Sequence, residues 1–298
     1  MSEQESSTAQ SRAGFVAIAG APNVGKSTLL NHILGHSLSI ATPKPQTTRS
    51  RILGVETIGN TQIVFCDTPG IHHESGLLHQ RMNAEARSGV READVVCWLI
   101  DATRGLRRID REEASNLTAE RTIVVINKCD VVKKPVVLPL IQSISALLPG
   151  AEIVPLSALR GEGVEHLVAL LLARMPEGPW FYDADQVTDQ TERALVAELV
   201  REQLFLQLDD ELPYRVAVLV DEFRDLANHT SISATIYTDS ESTKRIIVGK
   251  GGTRIKSVGI AARQTIEKLL DRRVFLELFV KVKPGWQEDP RFLKEMGL

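Results

Sequence analysis

The stretch Gly20-Ala21-Pro22-Asn23-Val24-Gly25-Lys26-Ser27 decides the fold of this 298-residue chain. It follows the apolar run Phe15–Ala19, which is typical of a buried strand, and it leads through Thr28 into a run with helical spacing. A strand, a glycine-containing loop and a helix in this order predict a phosphate-binding loop. Its backbone N–H groups and the helix N-terminus would face an anion, Lys26 would reach the β- and γ-phosphates, and Ser27 would ligate Mg²⁺. A turn that matches the pattern by chance is the alternative.

Length and composition indicate an ordinary globular protein with about two domains, since single cores rarely grow beyond roughly 250 residues. The net charge of −3 gives the whole chain no general affinity for nucleic acid, and no DNA partner is expected. Three scattered cysteines, Cys66, Cys97 and Cys129, predict neither a disulfide framework nor a metal site. The polar N-terminus and the short apolar runs favour a cytoplasmic protein without a signal peptide or a membrane-spanning helix.

An acidic motif, Asp67-Thr68-Pro69-Gly70, follows the predicted strand Gln62–Cys66. Ligands of open α/β sheets bind at the carboxyl ends of the strands, so Asp67 could lie beside the phosphate loop and hold Mg²⁺ through water. Gly70 could turn its N–H towards a terminal phosphate. By itself this motif is weak, and a simple turn is the alternative.

A second polar motif, Asn127-Lys128-Cys129-Asp130, follows the buried strand predicted for 122–126. The amide, the alkyl stem and the paired carboxylate oxygens suit a purine ring with two adjacent donors, as guanine has and adenine does not. A polar strand-to-helix loop remains the alternative for this motif taken alone. An ATP-dependent kinase is disfavoured by the same residues.

Strands alternate with helices up to residue 174, which predicts a doubly wound, mostly parallel α/β sheet. One of these helices is expected near residues 110–119. A Pro/Gly-containing acidic stretch then marks a domain boundary. The predicted organisation is a disordered lead-in at 1–12, a nucleotide-binding domain at 13–175, a linker at 176–190, a smaller α+β domain at 191–283 and a C-terminal tail at 284–298 that forms a short docking helix.

The smaller domain carries a local excess of positive charge that the net charge of the whole chain does not reveal. Eleven basic and three acidic residues lie between Lys244 and Lys283, which is typical of a polyanion-binding surface. The loop Gly249-Lys250-Gly251-Gly252 would let a nucleic-acid backbone approach the main chain, with Lys250 and Arg254 on phosphates. The apolar residues 246–248 and Ile255 are expected to anchor the flanking helices. An ordinary turn between helices is the alternative.

Taken together, these loops resemble the translation-factor class of P-loop GTPases. The phosphate loop, the threonines in Gln46-Thr47-Thr48-Arg49, the Asp67–Gly70 and Asn127–Asp130 motifs and Ser157-Ala158-Leu159 occur in the order and approximate spacing of that class. With the C-terminal glycine loop, Glu211–Tyr214 and Pro284–Trp286, the resemblance narrows to the Era-like GTPases from about residue 13 onwards. It implies that the second domain has the type II KH fold.

The resemblance also implies roles for individual residues. Asp130 and Asn127 would read guanine, Lys128 would cover the ring, and Ala158 would offer its N–H to the guanine oxygen. Thr48, or its neighbour Thr47, would ligate Mg²⁺ with Ser27. Ile71 stands where small Ras-like GTPases have the glutamine that orients the attacking water. Asn23 would help to hold K⁺ in the phosphate loop.

The implied function is a GTP-hydrolysing switch that binds single-stranded RNA near the 3′ end of small-subunit ribosomal RNA and assists assembly of that subunit. Its partners would be this RNA and the precursor particle of the small subunit, and the protein would be a monomer. The resemblance leaves open a weak peripheral association with the inner face of the cell membrane. The rival hypothesis is an RNA-binding chaperone whose nucleotide domain does not hydrolyse GTP.

Overall fold

The computed structural model describes residues 10–36, 38–40, 42, 44, 48–49, 51–70, 76–209 and 211–298. The chain divides into two compact units, one of residues 1–36, 51–68 and 87–189 and another of residues 37–50, 69–86 and 190–298. The contiguous domains predicted at 13–175 and 191–283 therefore differ from the units, because two early segments group with the C-terminal part. The predicted disordered lead-in, residues 1–12, extends too far, because Arg12 already pairs with Thr61 in the sheet. Residues 1–9 lie outside the described part of the chain.

The first unit is built on a six-stranded sheet. Its strands are β1 (Arg12–Ala19), β2 (Ile52–Ile58), β3 (Thr61–Asp67), β4 (Val95–Asp101), β5 (Thr122–Asn127) and β6 (Glu152–Pro155). They lie in the order β2-β3-β1-β4-β5-β6, and all neighbours are parallel except the antiparallel pair of β2 and β3. Every residue of β4 and β5 is buried, as expected for central parallel strands that are covered on both faces. The predicted mostly parallel α/β sheet is confirmed.

Helices connect these strands. They are α1 (Lys26–Leu34), α2 (Leu77–Glu92), α3 (Arg108–Ala114), α4 (Lys134–Leu147) and α5 (Val164–Arg174). The helix expected near 110–119 ends earlier, at Ala114. The side chains of Ser115 and Asn116 both donate to the carbonyl of Glu112, and such local bonds compete with further helix. None of the helices in the described ranges is both long and apolar enough to cross a membrane.

Residues 176–189 belong to the first unit although their composition predicts a linker. Gln62 Oε1 accepts the backbone N–H groups of Phe181 and Tyr182 at 2.9 and 3.0 Å. Val187 O accepts the N–H of Val55 at 2.9 Å. These bonds fasten the segment to β2 and β3, and the division between the units falls after Asp189.

The second unit contains a three-stranded sheet in the order β7-β8-β9. Its elements are α6 (Glu192–Gln207), β7 (Val216–Asp225), β8 (Thr230–Thr238), α7 (Glu241–Val248), α8 (Thr253–Leu270), β9 (Val274–Val282) and α9 (Pro290–Glu295). β7 and β8 are antiparallel, whereas β8 and β9 are parallel. One apolar core joins Val200 of α6, Ile236 of β8 and Ile266 of α8, all with no exposed surface. The predicted α+β domain is confirmed.

The C-terminal tail packs into the second unit. Trp286 and Leu293 are fully buried, and they share a core with Phe292 and with Leu78 and Met82 at the start of α2. Glu288 accepts the N–H of Leu77 at the beginning of that helix. The shared apolar core explains why residues 69–86 group with the C-terminal part of the chain.

Candidate functional site

The phosphate loop has the backbone geometry that its sequence predicts. Gly20 (φ +135°), Asn23 (φ +65°) and Gly25 (φ +99°) have positive φ values, which curl the chain before α1 begins at Lys26. A Cβ on Gly20 would lie 2.5 Å from Leu99 O, and one on Gly25 would lie 2.3 Å from Asn127 Nδ2. Both positions therefore require glycine. The result is a loop that leads into a helix N-terminus, the arrangement that binds phosphate.

Lys26 is held inside this loop. The residue is 7% exposed, and its ammonium group donates to Gly20 O at 2.9 Å and to Ala21 O at 3.2 Å. Burial lowers the pKa of Lys26, and the nearby carboxylate of Asp67 partly opposes that effect. The cation is thus positioned among polar groups of the loop, where phosphate oxygens could replace the two carbonyls.

Ser27 and Asp67 come together as predicted. Ser27 Oγ donates to Asp67 Oδ2 at 2.8 Å, and both side chains are buried. The following Thr68 is fixed by its own bond to Ile18 O at 3.0 Å. A hydroxyl and a carboxylate are hard oxygen ligands of the kind that Mg²⁺ prefers, so this pair fits the ion.

Asn127 joins three loops. Its Nδ2 donates to Val24 O at 2.8 Å, and its Oδ1 accepts the N–H of Lys128 at 2.7 Å and of Ala158 at 2.9 Å. The Ala158 N–H predicted for guanine therefore bonds to Asn127 here. Ser157 Oγ accepts the N–H of Arg160, closing the turn that carries Ala158 and Leu159. In this arrangement Asn127 organises the site, and direct contact of Asn127 or Ala158 with guanine stays a prediction.

Sequence reasoning missed Asp101, the last residue of β4. Its Oδ2 lies 2.7 Å from Lys128 Nζ, which also donates to Asn23 O at 2.6 Å. Asp101 lies opposite Asn127 in the parallel pair of β4 and β5. An acidic residue at the carboxyl end of a buried strand, the same signal that identified Asp67, could have found it. The ion pair joins the end of β4 to the Asn127–Asp130 motif, and the second bond of Lys128 joins that motif to the phosphate loop.

Asp130 has a counter-ion that the sequence did not predict. Arg160 Nε lies 3.6 Å from Asp130 Oδ2, and the Arg160 side chain is 61% exposed while that of Asp130 is 8% exposed. The carboxylate is thus largely covered, while its counter-ion faces solvent. Leu159, next to Arg160, is 76% exposed and available to a ligand.

Two predicted site residues, Thr48 and Gly70, belong to the second unit. Thr48 is 5% exposed. Its neighbour Arg49 donates to Val216 O at 2.6 Å and to Tyr214 O at 3.1 Å, and its guanidinium lies 5.4 Å from the Trp286 ring centroid. Thr47 and Ile71 lie outside the described residues. The roles of Thr48 and Gly70 stay predictions.

The glycine loop of the second unit separates α7 from α8. Gly249, Gly251 and Gly252 have φ values of +74°, +60° and +77°. A Cβ on Gly249 would lie 2.9 Å from Arg254 Cβ. Lys250 is exposed, whereas Arg254 is half-buried and donates to Ile246 O at 3.1 Å. Arg254 therefore also braces the loop.

A groove lies between the helix and the strand that follow this loop in the chain. A cavity of about 290 Å³ lies between α8 and β9, lined by Ile255, Lys256, Ile260, Arg263, Phe275 and Leu278 among others. Phe275 is 53% exposed. Apolar and cationic side chains beside a glycine loop suit the bases and phosphates of a single strand.

The expectation that Ile246 anchors α7 is wrong, because Ile246 is 40% exposed and the fully buried residue is Ile247.

Comparison with protein families identifies both units. Residues 15–128 match the family described as 50S ribosome-binding GTPase, and residues 211–287 match the KH domain family. Curated relatives include GTPase Era of Geobacter metallireducens, 47% identical over 96% of this chain and 97% of the relative. GTPase Era of Azotobacter vinelandii is 43% identical, with 96% of each chain covered.

Solved structures agree over nearly the whole chain. A point mutant of Aquifex aeolicus Era bound to GDP·AlF4⁻ has a TM-score of 0.93 and 43% identity, covering 96% of this chain and 99% of that one. Era in complex with MgGDPNP and nucleotides 1506–1542 of 16S ribosomal RNA has the same score, identity and coverage. The chain thus belongs to the Era family of GTPases, enzymes that hydrolyse GTP and carry a C-terminal KH domain.

Proposed function

We propose that GTP binding and hydrolysis in this protein control the binding of single-stranded RNA from the 3′ end of small-subunit ribosomal RNA, and thereby assist assembly of that subunit. The observation that carries the proposal is the exposed glycine loop with Lys250 beside a groove of cationic and apolar side chains. The similarity to Era bound to a fragment of 16S ribosomal RNA supports the choice of RNA. Membership in a GTPase family replaces the alternative of a chaperone with a non-hydrolysing nucleotide domain.

In the proposed nucleotide complex, the backbone from Gly20 to Thr28 surrounds the phosphates and Lys26 contacts their β- and γ-oxygens. Ser27, Asp67 and Thr48 hold Mg²⁺, which neutralises charge on the phosphates. Asp130 accepts the two donors of guanine, a paired contact that adenine cannot make. The Lys128 stem, fixed by Asp101, covers the ring.

Hydrolysis is proposed to depend on neutralisation of charge and on the Gly70 N–H rather than on a side-chain amide, since residue 71 is Ile. Asn23 is the candidate K⁺ ligand of the phosphate loop. Its positive φ and its carbonyl bond to Lys128 fix its backbone, and this supports a defined side-chain position.

In the proposed RNA complex, the loop Gly249–Gly252 clamps the backbone of about four nucleotides, as KH domains do. Lys250 and Arg254 contact phosphates, and bases enter the groove between α8 and β9. Because phosphate contacts release counter-ions, the affinity for RNA should fall steeply with salt.

The decisive experiment compares Lys250→Asp with Lys268→Asp, a matched change of charge near the other end of α8. We expect Lys250→Asp to weaken binding of a labelled 3′-end RNA at least tenfold and to flatten its salt dependence, whereas Lys268→Asp has a much smaller effect. RNA affinity is measured by fluorescence anisotropy with GDP and with a non-hydrolysable GTP analogue. Equal RNA affinity in both nucleotide states would refute control by GTP, and equal effects of the two variants would place the RNA elsewhere.

Further parts of the proposal concern the assembly state. The protein acts as a cytoplasmic monomer on the precursor of the small subunit, with a weak peripheral association with the inner face of the membrane as an additional state. Co-sedimentation with precursor particles, light scattering of the purified chain and flotation with anionic vesicles test these three statements separately.

A further inference from the structure

The strand β9 has one apolar face and one exposed face. Three of its side chains pack against the apolar core of the second unit: Leu276, Leu278 and Val280. Because side chains alternate along a strand, the residues between and beside them face the other way: Phe275, Glu277, Phe279 and Lys281. All four of these are exposed, Phe275 by 53% and Phe279 by 50%. Two large aromatic rings thus stand in water on the face that the helices do not cover.

The neighbouring strand β8 leaves both rings uncovered. Phe275 lies opposite Ser231 and Phe279 opposite Thr235 in the parallel pair of β8 and β9. These hydroxyl side chains are short, so they form a low floor beside the rings. The C-terminal tail covers the same face only farther along the strands, where its apolar core includes Tyr237. The uncovered part of the sheet therefore carries its aromatic side chains on the edge strand.

Charged side chains flank and separate the two rings. Arg273 directly precedes β9, and Lys281 lies on the same face as the rings, near the other end of the strand. Glu277 lies between Phe275 and Phe279. Within the described ranges, the three charged side chains form no ion pair and no hydrogen bond. They are free to contact a ligand.

The acidic residues of β7, the opposite edge strand, are engaged with residues of the sheet. Asp221 Oδ2 accepts the hydroxyl of Thr235 at 2.6 Å. Glu222 Oε1 lies 2.8 Å from Arg224 Nη2. Two cations and one carboxylate therefore remain available along β9, and this balance favours an anionic ligand.

Phe275 joins this exposed face to the RNA groove. It lines the cavity between α8 and β9 together with Leu276 and Leu278, whose side chains belong to the other face of the strand. Since β9 is an edge strand, no further strand separates the groove from the exposed face. A KH-type clamp holds about four nucleotides. A longer RNA that leaves the groove beside Phe275 would meet Phe279 next.

We propose that Arg273, Phe275, Glu277, Phe279 and Lys281, here called the β9 row, form a second RNA site that binds nucleotides outside the clamp. The inference rests on the proposed RNA complex of the glycine loop. Each phenylalanine stacks with one base, and the two basic residues contact phosphates. Stacking on an aromatic ring is open to any base, because every base has a π-face.

Glu277 gives the β9 row a preference among bases. At the rise of a parallel strand, roughly 3.3 Å per residue, Phe275 and Phe279 are about 13 Å apart, which leaves room for a base between them. An ionised carboxylate only accepts hydrogen bonds. It can therefore bind the exocyclic amino group of cytosine, adenine or guanine, which uracil lacks.

RNA length separates the β9 row from the clamp. Fluorescence anisotropy measures the affinity for two labelled single strands from the 3′ end of small-subunit ribosomal RNA, one of about four nucleotides that fills the clamp and one of about twelve. We expect Phe279→Ala to weaken binding of the longer RNA about tenfold and to leave binding of the shorter RNA unchanged. Leu206→Ala, at a 50% exposed apolar position of α6, is the matched control and should change neither affinity.

Conservative variants distinguish stacking from apolar contact. Phe279→Tyr keeps the ring and should bind the longer RNA like the wild type, whereas Phe279→Leu should lose affinity almost as Phe279→Ala does. The wild type should bind the longer RNA more tightly when cytosine, rather than uracil, fills the positions outside the clamp. Glu277→Gln should reduce this difference, and an unreduced difference would contradict the role of Glu277.

Wild-type affinity of Phe279→Ala for the longer RNA overturns the proposal, and the β9 row would then be open to a protein partner instead. Phe279→Trp provides a second measurement if the alanine variant folds poorly: the longer RNA, but not the shorter, should quench the added fluorescence, and no quenching also overturns the proposal. Lys250→Asp reports on the clamp separately. If that variant binds the shorter RNA like the wild type, the proposed RNA complex of the glycine loop fails, whatever Phe279 does.

Discussion

The ion pair between Asp101 and Lys128 offers a sharp test of how the proposed guanine-binding motif, Asn127–Asp130, is held in place. Lys128 Nζ lies 2.7 Å from Asp101 Oδ2, and the Asp101 side chain is 1% exposed. Asp101 Oδ1 accepts separate bonds from the N–H and the hydroxyl of Thr103 at 2.9 and 2.6 Å. Replacing Asp101 by Asn can keep the Thr103 bonds on the amide oxygen. Lys128 then faces an NH₂ group instead of a carboxylate.

The expected cost follows from the geometry. A hydrogen bond between charged groups contributes roughly 1.5–3 kcal/mol, and the 33% exposure of Lys128 places this pair in the lower half of that range. We therefore expect Asp101→Asn to lower the free energy of unfolding of the nucleotide-free protein by about 2 kcal/mol. GDP affinity should fall up to about tenfold, because the Lys128 stem that we propose covers guanine is no longer fixed.

The pH dependence of this pair can also be stated. Burial acts to raise the pKa of Asp101, but the bonds from Lys128 and Thr103 outweigh it and the net shift is downward. An acid whose pKa is lowered by folding stabilises the folded state above its unfolded value of about 3.9, and this contribution is lost as pH falls through the folded value. At neutral pH the stabilisation should be fully present.

A double-mutant cycle isolates the interaction. The free energy of unfolding in urea is measured without nucleotide for Asp101→Asn, Lys128→Met and the double variant. We expect a coupling free energy of about 1–2 kcal/mol between the two residues. Coupling below about 0.5 kcal/mol would show that the two residues act independently and would refute the reasoning. In that case, loss of GDP binding in either variant would have another cause.

The remaining predictions concern guanine, potassium and a carboxyl group. Asp130→Asn should weaken GTP binding at least tenfold, since an unpaired buried polar group costs about 1–3 kcal/mol, and unchanged affinity would contradict the assignment. Basal GTP hydrolysis should be faster in K⁺ than in Na⁺, and Asn23→Ala should reduce that difference; equal rates in both salts would leave Asn23 a loop-shaping residue. Folding raises the pKa of Glu113 from 4.5 to about 7, so the free energy of unfolding should decline by up to about 3 kcal/mol between these pH values relative to Glu113→Gln. Parallel urea titrations of the two proteins measure this difference.

The sequence predicts correctly those parts of the site that are formed by residues close together in the chain or at the ends of neighbouring strands. The phosphate loop lies between a strand and a helix that adjoin it, so its pattern is complete within residues 15–34. The bond between Ser27 and Asp67 could be anticipated because Asp67 ends β3 and Ser27 lies after the loop that follows β1, the parallel neighbour of β3. Central strands such as Val95–Asp101 are visible as continuous apolar runs.

The parts that the sequence does not predict depend on contacts between distant residues. Arg160 meets Asp130 only because the turn after Ser157 folds back beside the loop after β5. Residues 176–189 have the composition of a linker, but composition does not reveal that Gln62 can hold their backbone. Glu113 and Trp98 are fifteen positions apart on a helix and a strand, and neither forms part of a motif.

A nucleotide can influence the RNA loop only through groups whose contacts differ between two states. Arg49, directly after Thr48, is built into the second unit by two bonds to backbone carbonyls of residues 214 and 216 and by its position over Trp286. Two bonds from a guanidinium at roughly 1.5–3 kcal/mol each and a desolvated cation–π contact of about 2 kcal/mol form a gross interaction of about 5–8 kcal/mol. Moving a two-state equilibrium from 1:99 to 99:1 requires about 5.5 kcal/mol. A change at Thr48 that released Arg49 would therefore remove, from the unit that carries Gly249–Gly252, an interaction as large as such a shift requires.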